Sequence, residues 1–235
     1  MKNITLHYAP DNASLIIRII LEELNLPYTA VLVDRTRDEQ NSQSYLALNP
    51  TGLIPTCIID DETITETAAI AVTICERSHS SMVLSPDHPQ RCQFLRWLFF
   101  MANTIHSDLR QVFYADKFIG RDVNQQTAFR QRTRVRLAEN LTILEGQYKS
   151  AGTAYLFGSE PCVIDVYLAL SLRWLQLYPT EERGTFTLAG YPSIRTMLSV
   201  LQLRPAVVSA CAAEGITGEF FTNADSVNPE FGSAT

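Results

Sequence analysis

Basic charge is scarce in this 235-residue chain, where 19 Lys and Arg stand against 25 Asp and Glu for a net charge of −6. Without a basic block, a nucleic-acid footprint is not expected. The densest basic stretch, 130–136, reads as the solvent-facing side of a helix. No uninterrupted apolar run reaches the roughly 18 residues that a membrane span needs, so no membrane partner is expected. The opening MKNITLHYAPDN lacks the apolar core of a secretion signal, which points to a cytoplasmic protein. Cysteine is sparse and unpatterned. Cys57, Cys75, Cys92, Cys162 and Cys211 are odd in number, widely spaced and without a C-x-x-C pair. The four histidines are isolated too. Reduced thiols fit this pattern better than a disulfide framework or a zinc site, and no metal is expected.

What is present is an ordinary globular composition, 46% hydrophobic and 19% charged. Residues 3–8 alternate and end before Pro10, as a short strand does. From 14 to 24, Leu15, Ile16, Ile19, Ile20 and Leu24 recur at helical spacing, with Asn12 or Ser14 available as the N-terminal cap. Pro27 ends that helix, and 28–33 is a second strand. A short helical turn at 43–48 precedes two strands, 56–59 and 63–65, joined through Asp60-Asp61-Glu62. A helix at 68–76 follows. Residues 1–78 therefore read β-α-β-α-β-β-α, and 79–89, mixing Ser, Pro and His without period, suit a linker. Beyond it the strand signal disappears. Helical periodicity fills 90–118, 124–149, 163–178 and 193–203, within an all-helical domain set at 90–215. Residues 216–235 read as a loose tail.

The chemistry concentrates in Asn49-Pro50-Thr51-Gly52-Leu53-Ile54-Pro55-Thr56, followed after the hairpin by Glu66-Thr67-Ala68-Ala69-Ile70. A cis proline at 55 turns the chain so that the backbone of Ile54 offers its N–H and C=O to an extended peptide. Glu66 and Thr67 stand where a helix begins, and backbone donors there can take up a carboxylate. Each half alone is equally a turn or a helix cap. Together they resemble the N-P-x-G-x-[IV]-P…E-[ST]-x-A-I pattern of the glutathione transferases, at that family's spacing.

The N-terminus extends the resemblance. Leu6-His7-Tyr8-Ala9-Pro10-Asp11-Asn12-Ala13-Ser14-Leu15, with Glu22-Glu23-Leu24 beyond, is similar to the opening of the bacterial beta-class transferases. The family's cysteine falls on Ala13, so a mixed disulfide with glutathione cannot form at this place. The zeta-class S-S-C signature is absent as well. Two hydroxyls remain as candidate activators of the glutathione sulfur. Tyr8 matches the place of the tyrosine in mammalian-type transferases, and Ser14 opens the first helix. Core packing for Tyr8 and simple capping for Ser14 are the competing readings. Asn12 is a third candidate donor.

In the helical half, 97–106 resembles the beta-class W-L-N-F-[IV]-x-x-x-[IL]-H stretch, which makes His106 a candidate glutathione contact and Asn103, one turn earlier, another. The lysine that often follows is Ser107 here. Gly158 to Asp165 matches the family's capping box, with Cys162 in place of the hydroxyl. A capping role for Cys162 is favoured over a reactive thiol.

The resemblance runs from Leu6 to about Pro205. It implies the glutathione transferase architecture, an α/β thioredoxin-like N-terminal domain followed by an all-α C-terminal domain. It also implies glutathione as co-substrate, a role in detoxification and a homodimer. The expected activity is conjugation of glutathione to an apolar electrophile, or its use against a peroxide, with Phe100, Phe113 and Tyr114 as candidate lining for the co-substrate. The alternative is a non-catalytic regulatory protein on the same fold, similar to the stringent-starvation proteins. Loss of the cysteine favours that alternative. The paired motifs at Ile54-Pro55 and Glu66-Thr67 favour the enzyme.

Overall fold

Alternation in the first strand sets one face against a core. In β1 (Ile4–Tyr8), Ile4 and Leu6 are buried while Thr5 and His7 point to the opposite face. The chain continues through α1 (Ser14–Glu23), β2 (Thr29–Leu32), α2 (Gln43–Leu48), β3 (Thr56–Ile59), β4 (Glu62–Thr65) and α3 (Thr67–Arg77). The four strands form one sheet in the order β2-β1-β3-β4, with β1 parallel to β2 and antiparallel to β3, and β3 antiparallel to β4. The computed structural model describes residue 1, residues 3–227 and residues 229–233.

The chain divides into two units. The first is Met1–Arg91 with Leu201–Phe220 and Asp225–Thr235; the second is Cys92–Val200 with Phe221–Ala224. In the second, α4 (Arg91–Phe100), a π-helical turn (Met101–Ile105), α5 (His106–Phe113) and α6 (Ala115–Ile119) replace the single helix that periodicity predicts over 90–118. They are followed by α7 (Val123–Ala151), α8 (Val163–Leu177) and α9 (Pro192–Leu201). Almost every residue of α8 is buried, so this helix, apolar on all sides, forms the centre of that unit. Its N-terminus is closed by Asp165, whose carboxylate accepts from the Cys162 N–H at 2.8 Å, the Leu156 N–H at 3.0 Å and the Tyr148 hydroxyl at 2.7 Å. Cys162 itself is buried at the cap. The basic stretch on α7 is braced rather than merely wet: Arg136 pairs with buried Asp108 of α5 at 2.6 Å, and Arg134 with Glu182 at 2.9 Å.

The last helix, α10 (Pro205–Ala212), returns to the first unit and packs along α1. This explains why α1 is apolar almost all round. Leu15, Ile16, Ile17, Ile19, Ile20 and Leu21 are all fully buried, between the sheet side and α10. Each such side chain contributes about 1.5–3 kcal/mol relative to exposure. Charged pairs fix the register, with Arg204 bidentate on Glu23 at 2.6 and 2.8 Å. The stretch from 216 is also less loose than its composition predicts. Ile216, Phe220, Phe221 and Ala224 are buried, and Gln176 donates to the Phe221 carbonyl at 2.9 Å. Residues 228, 234 and 235 of that tail lie outside the described residues.

Candidate functional site

Strand register gathers three of the expected residues at one end of the sheet. His7 pairs with Thr56, and Thr56 pairs with Thr65. One step further along the three strands stand Tyr8, Pro55 and Glu66. The row therefore presents the end of β1, the entry to β3 and the junction between β4 and α3 side by side.

The Ile54–Pro55 peptide is cis, as the motif predicts. The loop leading to it is held by its own side chains. Buried Asn49 donates from Nδ2 to the Leu53 carbonyl at 2.8 Å, and its Oδ1 accepts from the Thr51 N–H at 3.1 Å and the Thr51 hydroxyl at 2.7 Å. The Tyr45 hydroxyl adds a second donor to the Leu53 carbonyl at 2.8 Å. Gly52 has φ +64°, which strains any side chain, and a Cβ there would approach the Gln40 carbonyl oxygen to 3.1 Å, so glycine fits best on both counts. Among the described residues, neither the N–H nor the C=O of Ile54 is hydrogen-bonded, which leaves an extended, half-buried strip of backbone able to pair with a peptide.

Glu66 occupies the N-cap of α3 with φ 69°, ψ 116°, and its exposed side chain makes no capping bond. A non-glycine residue with positive φ costs on the order of 1–3 kcal/mol and marks a place where the fold over-determines the backbone. Thr67 follows, buried in the first turn. The opening N–H groups of α3 have no intrahelical partner, and the dipole adds positive potential for an anion.

The thiol-side candidates separate. The Tyr8 ring is partly exposed and carries the Arg18 guanidinium over its face at 4.4 Å. Its hydroxyl takes no hydrogen-bond partner among the described residues. Ser14 is fully buried, and its hydroxyl is closed on one residue, donating to the Ala9 carbonyl at 3.0 Å and accepting the Ala9 N–H at 3.3 Å. With its single proton engaged, Ser14 has none to offer a sulfur in this arrangement. Neither Ser14 nor Asn12 caps α1 as expected. Ala13 is the N-cap and has no side chain to do so, while the Asn12 Oδ1 accepts the Ala13 N–H at 2.7 Å. The turn bends too sharply there for an ordinary cap, since Asp11 sits in the left-handed region at φ 47°.

His106 and Asn103 belong to the second unit. Asn103 is exposed on the π-helical turn. The His106 Nδ1 lies 2.7 Å from the Tyr167 hydroxyl, with its ring edge-on to Tyr167 and close to Trp174. Burial, with a smaller contribution from Arg110, pushes its pKa down to about 4, so the imidazole is neutral at physiological pH. Phe100 packs edge-on against Trp97, and Phe113 meets Tyr114 and Tyr178. None of these lines the cavity of about 140 Å³ in this unit, which is enclosed by Arg134, Leu137, Ala138, Leu141, Leu175, Thr185 and Phe186. Among the described residues no cluster of His, Cys, Asp or Glu is arranged for a metal, and no helix is long and apolar enough to cross a membrane.

Comparison with known proteins agrees with this geometry. Residues 13–77 match the family model of the glutathione S-transferase N-terminal domain. The chain is 27% identical over 214 residues to glutathione S-transferase GstA of Escherichia coli O157:H7, covering 90% of this chain and 98% of that protein. The chain is similar to the glutathione transferases. Maleylacetoacetate isomerase of Pseudomonas aeruginosa is 29% identical over 203 residues, 85% of this chain and 91% of that protein. Among solved structures, a ternary complex of BphK, a bacterial glutathione transferase, superposes with a TM-score of 0.76 at 26% identity, covering 90% of this chain and all of that one. A Sulfitobacter homologue with bound glutathione gives a TM-score of 0.77 at 23% identity, covering 90% and 98%.

The chain also carries supports that its motifs do not reveal. Arg18 lies in the otherwise apolar face of α1, almost fully buried, with its Nε 2.8 Å from Glu214. A lone arginine inside SLIIRIILEE was the available signal, since a charge is buried only when paired. Of the two residues that hold the Pro55 loop, Asn49 carries no signal beyond its place in the motif, and Tyr45, in α2, carries none.

Proposed function

We propose that this protein is a glutathione transferase, which uses glutathione as a co-substrate against a small apolar electrophile or a peroxide. The observation that carries this reading is the row of Tyr8, Pro55 and Glu66 at one end of the sheet, flanked by the unengaged Ile54 backbone and the open start of α3. Glutathione offers matching chemistry: an extended peptide for Ile54, a γ-glutamyl ammonium group for the Glu66 carboxylate to accept from, and a γ-glutamyl carboxylate for Thr67 and the α3 N-terminus. Its sulfur would then face the start of α1, where Tyr8 is the leading donor and Asn12 the second. Ser14 acts by holding the turn. Relatives across 90% of the chain are glutathione S-transferases by name, and a structural neighbour holds glutathione.

Catalysis on this reading consists of lowering the thiol pKa and holding the thiolate near the electrophile. The beta class is the nearest in motif, although Ala13 replaces its cysteine. A cytoplasmic homodimer with a detoxifying role completes the proposal. The test is calorimetric titration with glutathione alongside conjugation of a chloronitrobenzene and reduction of a peroxide. Binding with turnover is expected. Binding without turnover of any electrophile or peroxide would instead identify a regulatory protein on this fold, and no binding would end the reading.

A further inference from the structure

One carboxylate in the first unit reaches two parts of the proposed thiol end at once. Glu214, just beyond α10, is buried at 2% exposure. Its Oε2 accepts the Asp11 N–H at 2.8 Å, and its Oε1 accepts from the Arg18 Nε at 2.8 Å. Asp11 is the left-handed residue of the turn between β1 and α1. Arg18 in turn spans the Tyr8 ring at 4.4 Å and donates from Nη1 to the Tyr28 hydroxyl at 3.1 Å, which itself donates to Glu22 at 2.7 Å. So Glu214 fixes the backbone of the turn through one oxygen and the guanidinium against Tyr8 through the other.

We propose that Glu214 is a positioning residue for thiol activation, setting both the Asp11–Asn12 turn and the Tyr8 ring in place. This inference rests on the reading of the first unit as the glutathione-binding one. The geometry favours positioning over mere stability. A carboxylate serving only to neutralise Arg18 needs no bond to a strained backbone residue, yet the second oxygen makes one. Burial without full compensation is costly for such a group. Its carboxyl is pushed up to about 7, burial outweighing the pull of Arg18 and of the Asp11 N–H, with Asp11 itself raising it further. The Arg18 Nη2 is buried with no hydrogen-bond partner among the described residues. An arrangement this expensive, directed at the turn before α1, is the kind of support that a precisely held donor requires.

The test compares wild type with Glu214→Ala and Glu214→Gln, each first checked for a native circular dichroism spectrum. The glutathione Kd, the steady-state constants and the pKa of the bound thiol, read from thiolate ultraviolet absorbance, are measured for each. The expected result is a thiol pKa raised toward that of free glutathione and a kcat lowered about tenfold or more. The glutathione Kd should stay within about threefold, because Ile54, Glu66 and Thr67 do not depend on Glu214. A glutamine side chain brings one acceptor oxygen to a place where two donors converge, so Glu214→Gln should lie between Glu214→Ala and wild type. If the Ala variant does not fold, the Gln variant decides on the same criteria. A folded variant with an unchanged thiol pKa and kcat overturns the inference while leaving the transferase reading intact. A wild type that binds glutathione without lowering its thiol pKa also overturns it, and a wild type that binds none overturns the transferase reading itself.

Discussion

The Ser14 hydroxyl closes a two-way hydrogen bond with a single residue, donating to the Ala9 carbonyl at 3.0 Å and accepting the Ala9 N–H at 3.3 Å. The bond spans the turn between β1 and α1, whose N-cap residue, Ala13, has no side chain to brace it. Truncation leaves both backbone polar groups of a buried residue unsatisfied. Ser14→Ala is therefore expected to lower stability by about 1–3 kcal/mol, measured by urea unfolding. Activity per folded molecule should fall much less than in a Tyr8 variant. A stable Ser14→Ala protein with no activity would return the sulfur contact to Ser14.

Tyr8 carries the complementary expectation. Its hydroxyl has no partner among the described residues, whereas its ring is held by Arg18. Tyr8→Phe keeps the ring and its cation contact, so stability should change by less than about 0.5 kcal/mol. If the hydroxyl donates to the glutathione sulfur, kcat/KM falls about tenfold or more, since each pKa unit returned to the thiol corresponds to about 1.4 kcal/mol. Equal kcat/KM in the two proteins would move that role to Asn12.

Much of the fold was legible because its signals are local. Alternation gave β1, helical spacing gave α1 and α3, and Pro55 with Glu66 announced the junctions of β3 and α3 in advance. What escaped depends on contacts distant in sequence. Nothing in the period of α1 says that α10 covers it, although apolar residues on every side of SLIIRIILEE are the trace such burial leaves. The pairing of Arg18 with Glu214 spans 196 residues and could not be read from either. The average composition of the tail conceals Phe220 and Phe221, both buried, among polar neighbours. For the site, residue types were visible but hydrogen-bond direction was not. A serine beside a helix start looks the same whether its proton faces a ligand or the Ala9 carbonyl.

Glu66 is expected to hold the γ-glutamyl end. Glu66→Ala should weaken glutathione binding by about 1.5–3 kcal/mol, roughly tenfold to 150-fold in Kd, the range of a charge-assisted hydrogen bond. Isothermal calorimetry on the folded variant measures it. Glu66→Gly separates side chain from backbone, because φ 69° suits glycine. It should lose the same affinity without loss of stability. An unchanged Kd in either variant removes the Glu66 side chain from the site.

Two buried groups should bend the pH–stability curve in opposite directions. His106 is lowered from 6.5 to about 4, so the unfolded chain takes up its proton first as pH falls. Its contribution is complete above about 6.5 and declines toward 4, by an amount on the order of 3 kcal/mol. Glu214 is raised from 4.5 to about 7, so its contribution is complete below 4.5 and is lost as pH rises through 7. Wild type should be comparatively flat between about 4.5 and 6.5. In that window His106→Gln should lose stability with rising pH, and Glu214→Gln should gain it. Denaturant midpoints at a series of pH values decide, and parallel slopes in the two variants would refute both assignments.

Thiol–disulfide exchange should be weak in this protein, and its restoration should need one atom. The species that attacks a disulfide is a thiolate. Burial pushes Cys57 and Cys75 up to about 12 and Cys162 well above its ordinary value, so near pH 7 only about one Cys57 or Cys75 in 10⁵ is ionised. Cys211 is buried, and exposed Cys92 lies in the first turn of α4, in the second unit. Ala13, by contrast, is the N-cap of α1, where the helix dipole favours a thiolate. Wild type and Cys92→Ser should both reduce a glutathione mixed disulfide slowly. Ala13→Cys should gain that activity and become sensitive to alkylation at neutral pH. The residue is 7% exposed and a sulfur adds little volume, so the fold should accept it. Rapid reduction by wild type that disappears in Cys92→Ser would place a working thiol on α4 and contradict this expectation. An inert Ala13→Cys protein, folded and able to bind glutathione, would mean that the start of α1 does not face the sulfur, and the assignment of Tyr8 and Asn12 would fall with it.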